Sequence, residues 1–306
     1  MIGREGSYRI SPNRGRTPRG YVWRKSPTMK NPYYLLPAFL LTLACGNEEP
    51  AAEVEVEELD APEMVVTLEP KEPGTDFPGA AIAELSYTDG TFEYTLDGGE
   101  YELGVQSPEA DATMCANSAK GQHIHLIVDD EPYAAYYEPT FEHEIEEGSH
   151  YLLTFLSRSY HESIKTDAAH RAMYVDVDDG GFKRSAPIED PMLFYSRPKG
   201  TYVGKDAENV LLDFYPVNVE LGDEYKVKVE IGRQDAPVDD SPTDDVLPPA
   251  ASFVVDEWQP YLLRGLPMGE NHVTLTLIDS AGNRVEAPLN PVRRTFTLEA
   301  DPAAEM

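Results

Sequence analysis

The sequence has only two cysteines in 306 residues, Cys45 and Cys115, too few for a disulfide framework. Basic residues are also scarce, with 25 Lys and Arg against 55 Asp and Glu. The first 44 residues hold eight of those bases and a single acid, Glu5, so the remainder carries a net charge of −37. A field of that sign repels nucleic acid and anionic lipid surfaces, which sets nucleic-acid binding aside. No apolar run approaches the roughly 20 residues needed to span a bilayer as a helix. Catalytic signatures are missing too: there is no nucleophile elbow, HExxH zinc helix or Gly-rich phosphate loop, so no enzyme is read here. Asp176-Val-Asp178-Asp179-Gly180 faintly suggests a calcium loop but lacks the twelve-residue spacing and closing Glu, and reads as an acidic turn.

What is present favours a β protein. Aliphatic, aromatic and sulfur residues make up 41% of the chain, with 18 Tyr and 10 Phe, enough to bury sizeable cores. Pro (26) and Gly (22) are high, and helix-period runs are scarce. Residues 1–28 are basic, rich in Arg, Gly and Pro and free of core residues, which predicts a disordered extension or a start upstream of the true one at Met29. From Lys30 a short positive region leads into the apolar run Tyr33–Leu43, interrupted only by Thr42, then Ala44 and Cys45. That length fits a signal segment over 29–44. A plain secretory signal and a membrane anchor are the other readings of this stretch. The Pro/Ala/Glu stretch 45–62 is an extended tether of like charges.

Residues 64–108 alternate in strand fashion, with MVVTLEP, AIAELSY and TFEYTL separated by turn signals. QHIHLIV (122–128) and HYLLTFLS (150–157) add two more strands. A weaker copy of this order returns after residue 191. NVLLDFYPVNV (209–219) stands for AIAELSY, YKVKVEI (225–231) for QHIHLIV, Pro260-Tyr261 for Pro139-Thr-Phe141, and Gly269-Glu-Asn-His272 for Gly148-Ser-His150. Two repeats of this length make tandem domains rather than a solenoid. The expected fold is all-β, two tandem immunoglobulin-like β-sandwiches over 63–166 and 191–300. Residues 167–190 read as a linker with one short strand at most, 235–250 as an exposed loop insertion, and 301–306 as a tail.

The candidate site is a set of four histidines, His123, His125, His150 and His161. His123 and His125 are two apart on a strand and project to one face about 7 Å apart, close enough for both imidazoles to reach one ion. His150, at a later strand start, and His161, past that strand's end, add nitrogens if the strands are neighbours. Imidazole clusters suit Zn or Cu, with Glu162 or Asp129 as carboxylate partner. Two readings stand open: structural histidines on a strand face with no cofactor, or a Zn/Cu site. The copy keeps only His272, so Arg158, Tyr160 and Glu162, peculiar to the first unit, are further candidate ligand contacts.

The Leu-Thr-Leu-Ala-Cys end resembles a bacterial lipoprotein signal, which implies lipid attachment at Cys45. Thr42, rather than Leu, sits three residues before the cysteine. The acidic residues just after Cys45 resemble surface-export signals of Bacteroidota lipoproteins, which implies an outer-membrane lipoprotein displayed at the cell surface, with the periplasmic side of that membrane as the other reading. The motifs Gly-Gln-His-Ile-His-Leu-Ile-Val-Asp, Phe-Leu-Ser-Arg-Ser-Tyr-His-Glu-Ser, Pro-Met-Leu-Phe-Tyr-Ser-Arg-Pro-Lys-Gly and Gly-Leu-Pro-Met-Gly-Glu-Asn resemble a group of Bacteroidota envelope lipoproteins. Automated naming often calls that group "phosphopeptide-binding protein". The first unit also resembles small secreted domains carrying a Gly-His-x-His-Leu strand. The resemblance implies a non-catalytic extracytoplasmic binding or scaffolding protein with an unidentified ligand or protein partner. A phosphate reader needs an Arg cluster or a nest of amides; Arg158, Arg197, Lys199 and Lys205 are scattered along an acidic chain.

Overall fold

In a computed structural model, the described residues are 65–97, 99–232 and 250–303. The signal segment, Cys45, the tether, residues 235–249 of the insertion and residues 304–306 lie outside them. Nine strands come first: β1 (Thr67–Pro70), β2 (Ala81–Thr88), β3 (Thr91–Asp97), β4 (His123–Val128), β5 (Ala134–Tyr136), β6 (Thr140–Glu142), β7 (Gly148–Ser157), β8 (His170–Asp178) and β9 (Gly181–Pro187). Eight follow: β10 (Met192–Arg197), β11 (Gly200–Val203), β12 (Val210–Val217), β13 (Tyr225–Gly232), β14 (Ala251–Val255), β15 (Tyr261–Arg264), β16 (Gly269–Asp279) and β17 (Val292–Glu299). Among the described residues helix is limited to two short 3₁₀ turns, and no helix there is long and apolar enough to cross a membrane.

The strands form two sandwiches of the immunoglobulin type. In the first, sheet β2-β3-β6 faces sheet β5-β4-β7-β8-β9. Ile82, Phe92, Ile124, Leu126, Leu152, Leu156 and Val175 fill the space between them. In the second, β1-β15-β12-β10 faces β11-β17-β16-β13-β14, with β11 parallel to β17. Leu193, Phe214, Val229, Val273, Leu275 and Phe296 make its core. Strand neighbours define the repeat. β4 lies between β5 and β7 as β13 lies between β14 and β16, and β3 lies between β2 and β6 as β12 lies between β10 and β15.

Three segments differ from the sequence expectation. NVLLDFYPVNV (β12) occupies the place of TFEYTL (β3), not of AIAELSY (β2). Both first-unit strands have the same period, so alternation alone does not distinguish them. Residues 67–70 do not join the first sandwich. They pair with β15, Thr67 opposite Arg264, where Val66 and Leu68 pack on the second core and cover an otherwise open sheet edge. The segment expected as a linker with one short strand, AMYVDV, has that strand inside a longer β8 and adds β9 beside it. β8 pairs with β7 along eight residues, and its Val175 and Val177 reach the first core. The Asp178–Gly181 tip is a tight hairpin with left-handed Asp179 and Gly180, so the acidic turn closes a strand pair.

The outer face of the β4-β7 sheet is not solvated. Ile127, Leu153 and Phe155 pack against Ile188, Met192, Phe194, Tyr215 and Val217. β4 is therefore buried on both sides: Ile124 and Leu126 face the first core, while His123, His125 and Ile127 face the second sandwich.

Candidate metal centre

Burial on both faces means that His123 and His125 are fully enclosed. Neither imidazole reaches bulk solvent, so its polar atoms need partners within the site. The chain after β7 brings a third ring to them. Ser157 pairs with both His123 and Ser163. The bonds Arg158 N–H to Glu162 O (2.8 Å) and His161 N–H to Arg158 O (2.9 Å) close a tight loop between. At its tip His161 has φ 69°, a left-handed conformation that costs a β-carbon-bearing residue of order 1–2 kcal/mol. That turn aims its ring back over the end of β4.

The nitrogens converge. His123 Nε2 lies 2.8 Å from His125 Nε2 and 3.0 Å from His161 Nδ1, and one ligand atom from each of the three rings falls within 4.8 Å of the others. His123 Nδ1 is 2.8 Å from the Gly121 carbonyl. A carbonyl only accepts, so Nδ1 carries the proton and the lone pair sits on Nε2. Gly121 is glycine for two reasons: its φ is +90°, and a Cβ there would lie 2.4 Å from the Gly104 carbonyl carbon. The single Nε2 lone pair of His123 then has two nitrogens against it, and His125 Nδ1 is buried without a partner. A cation among the three nitrogens would take up lone pairs that otherwise crowd one another. On a tetrahedral ion with bonds of about 2.0–2.1 Å, ligand nitrogens stand about 3.3 Å apart, a few tenths of an ångström wider than the two distances observed.

The electrostatics favour free lone pairs. Burial pulls His123 down to about 4 against the opposing bond to Gly121, and it holds His125 and His161 well below the usual imidazole value. All three rings are neutral at pH 7, the form that binds metals. Tyr133 stacks flat on His125, with centroids 3.7 Å apart and planes 10° apart. Phe155 meets the same ring edge-on, and Tyr137 lies 5.0 Å from His123. The Tyr133 hydroxyl is 3.3 Å from His161 Nδ1. Tyr137 also lines a cleft of about 1210 Å³ beside β5, shared with Lys120, Tyr136 and Phe141.

The other predicted site residues lie elsewhere. His150 sits at the opposite end of β7, where Nδ1 meets Asp129 Oδ2 at 2.7 Å and Nε2 meets the Glu146 carbonyl at 2.9 Å. That corrects the expectation of His150 as a fourth ligand and of Asp129 as the cluster's carboxylate: the two pair with each other, away from the other three histidines. Strand direction is the cause: β7 runs ten residues from His150's end to Ser157. Glu162 is held by Lys71 Nζ at 2.6 Å, the Gly74 amide at 2.9 Å and Arg158 at 3.2 Å, not by a histidine. Arg158 donates to the carbonyls of Thr75 and Ser163, and Tyr160 donates to Glu109. These three side chains form a buried clamp on residues 71–75. A Cβ at Gly74 would fall 1.9 Å from the Tyr160 hydroxyl.

Sequence reading missed Tyr133 and the meeting of Arg197 with Lys199. The β4–β5 pairing sets His125 opposite Ala135, so Tyr133, two residues earlier, falls on the histidine face. The turn residues Asp129-Asp130-Glu131-Pro132 are the signal for that hairpin. Arg197 and Lys199 come from the second sandwich, beyond the reach of local pattern. Their side chains lie 5.4 Å (Cζ) and 3.8 Å (Nζ) from the Tyr133 ring centre.

No protein-family model and no curated protein matches the chain. Among solved structures, it is similar to the fibronectin(III)-like modules of Clostridium thermocellum CbhA, with a TM-score of 0.24 and 12% identity over 77% of this chain and 95% of that one. It is also similar to the Bacteroides ovatus mixed-linkage glucan utilization locus protein SGBP-B in complex with a mixed-linkage heptasaccharide, with a TM-score of 0.18 and 8% identity over 76% of this chain and 70% of that one.

Proposed function

We propose that this protein is a non-catalytic, extracytoplasmic metal-binding protein of the cell envelope, in which His123, His125 and His161 hold one Zn or Cu ion. The supporting observation is the meeting of three neutral imidazole nitrogens within 4.8 Å in a site enclosed between the two sandwiches. Three imidazoles match the ligand preference of Zn and Cu over harder cations. The acidic exterior raises the local concentration of cations around the molecule. Catalysis is not part of the proposal. Three-histidine zinc can activate water for hydrolysis, yet no carboxylate stands in hydrogen-bond contact with these rings among the described residues. The envelope location rests on the signal-like segment ending at Cys45.

Incubating the full-length protein with Zn²⁺ or Cu²⁺, removing free metal and measuring what remains tests the reading. One ion per chain is expected, with none retained by the double variant His123→Ala, His125→Ala. No retained metal, or retention undiminished in that variant, overturns it. Fractionation tests the anchor: if Cys45→Ser still sediments with membranes, lipid attachment at Cys45 is wrong.

A further inference from the structure

Resting on the three-histidine reading, we propose that this centre selects monovalent copper, Cu⁺, over Zn²⁺ and Cu²⁺. Its ligand set is neutral. His123, His125 and His161 bring three nitrogens and no negative charge, and among the described residues no carboxylate bonds to any of the rings.

The surroundings are positive. Arg197 and Lys199 approach from the second sandwich, on the far side of Tyr133. The His125 ring lies 3.7 Å from the Tyr133 ring centre and Lys199 Nζ 3.8 Å from it, too close for both to share one face. The Arg197 guanidinium lies 5.4 Å from the same ring. Neither cation has a carboxylate in ion-pair contact among the described residues, although acids outnumber bases 55 to 25 in the chain. Arg197 is buried, with Nη1 donating to the Tyr202 hydroxyl at 2.7 Å and Nε unpartnered. Asp130, on the β4–β5 turn, pairs with Arg294 instead, at 2.8 Å. Burial, joined by the charges of Arg197 and Arg294, pushes the Lys199 ammonium down to about 8. Positive charge is crowded here before any ion arrives.

Buried charge without a counter-charge is strongly unfavourable. Each cation opposes each unit of charge on the ion, so the second charge of Zn²⁺ or Cu²⁺ is disfavoured about tenfold by each of the two. A monovalent ion avoids that second charge. Of the metals that imidazole suits, copper is the one with a stable monovalent state. Coordination number agrees with charge. Zn²⁺ takes four ligands, and no fourth protein ligand is in place: Tyr133 stacks on His125 with planes 10° apart, which holds its hydroxyl out of the imidazole plane. Cu⁺ is satisfied by three nitrogens. The rings of Tyr133 and Phe155 against His125, and of Tyr137 beside His123, wall the centre with groups that disfavour the higher charge.

Competition titrations on the full-length protein at neutral pH test this. Cu⁺ is supplied without oxygen against bicinchoninate, and Zn²⁺ against a zinc chelator. One Cu⁺ per chain is expected, bound about 100-fold tighter than Zn²⁺ and displacing it at one equivalent. Lys199→Gln keeps a donor for the Tyr133 carbonyl, which Lys199 Nζ now serves at 2.5 Å, but removes the charge. It should narrow that preference about tenfold, equivalent to a Cu²⁺/Cu⁺ potential lower by about 59 mV. Lys199→Arg should leave both unchanged. Bound Zn²⁺ that resists one equivalent of Cu⁺, or a preference that does not move in Lys199→Gln, overturns the selectivity and leaves the histidine site standing. Should the Gln variant fail to fold, displacement in the wild-type protein still decides. A wild-type protein that holds neither copper nor zinc removes the three-histidine reading itself.

Discussion

His161 Nδ1 lies 3.0 Å from His123 Nε2, although 38 residues separate the two in sequence. The contact depends on the loop that follows β7, and it defines which histidines act together. His150, on the same strand, is turned to Asp129 instead.

Ligand substitutions should therefore separate the histidines into two groups. His123→Ala, His125→Ala and His161→Ala are each expected to weaken Zn²⁺ binding by more than about 100-fold, beyond the 10–100-fold typical of outer-shell partners. His150→Ala should leave it unchanged. Calorimetric titration of the four variants checks this, and a weakened His150→Ala would contradict the assignment.

Acid should destabilise the metal-free protein earlier than its carboxylates require. Folded His123 holds a value of about 4, whereas an unfolded imidazole titrates near 6.5. Between these values the unfolded chain takes up a proton that the folded chain refuses, so stability falls as pH drops from 6.5 and is flat for this group above it. The loss reaches about 3 kcal/mol by pH 4 from His123 alone, and His125 and His161 add to it in the same direction. Among the described residues the groups facing them are Tyr133, Tyr137, Arg197 and Lys199, with no carboxylate to reverse the sign. Glu109 and Asp279 are held below the usual carboxylate value, so they contribute only at lower pH. Urea midpoints of the metal-free protein between pH 8 and 5 should decline, and the decline should be shallower in His123→Gln.

The clamp around Glu162 makes a separate prediction. Glu162 is buried and Lys71 half-buried, 2.6 Å apart, with the buried Arg158 on the other side of the carboxylate. Removing one member of a buried pair strands the charge of the others, at about 3–5 kcal/mol. Glu162→Ala is expected to lower stability by that order in denaturant unfolding. Metal stoichiometry should stay at one per chain in whatever fraction remains folded, since Glu162 bonds to residues 71–74 and Arg158 rather than to the histidines.

The all-β class was legible because alternation and turn residues are local signals. QHIHLIV and YKVKVEI come out as the same strand of the two units for that reason. Assignment of strands to sheets was less legible. β1 carries the right alternation but pairs with a strand nearly 200 residues on, and β8 and β9 lie in a stretch whose Asp and Gly content suggested a linker. Half of the site was readable from the spacing of His123 and His125. His161 was in view, but its convergence depends on a left-handed turn that no periodicity reports. Tyr133, Arg197 and Lys199 needed the packing of one sandwich on the other. His150 illustrates the opposite error: it lies in the right strand, yet its position along that strand sets it at the far end.

X-ray absorption at the zinc edge of the loaded full-length protein reads the ligands of the ion themselves. Three imidazole nitrogens at about 2.0–2.1 Å from the ion are expected, falling to two in His161→Ala. A shell of oxygens alone, or three imidazoles that persist in His161→Ala, would contradict the three-histidine centre.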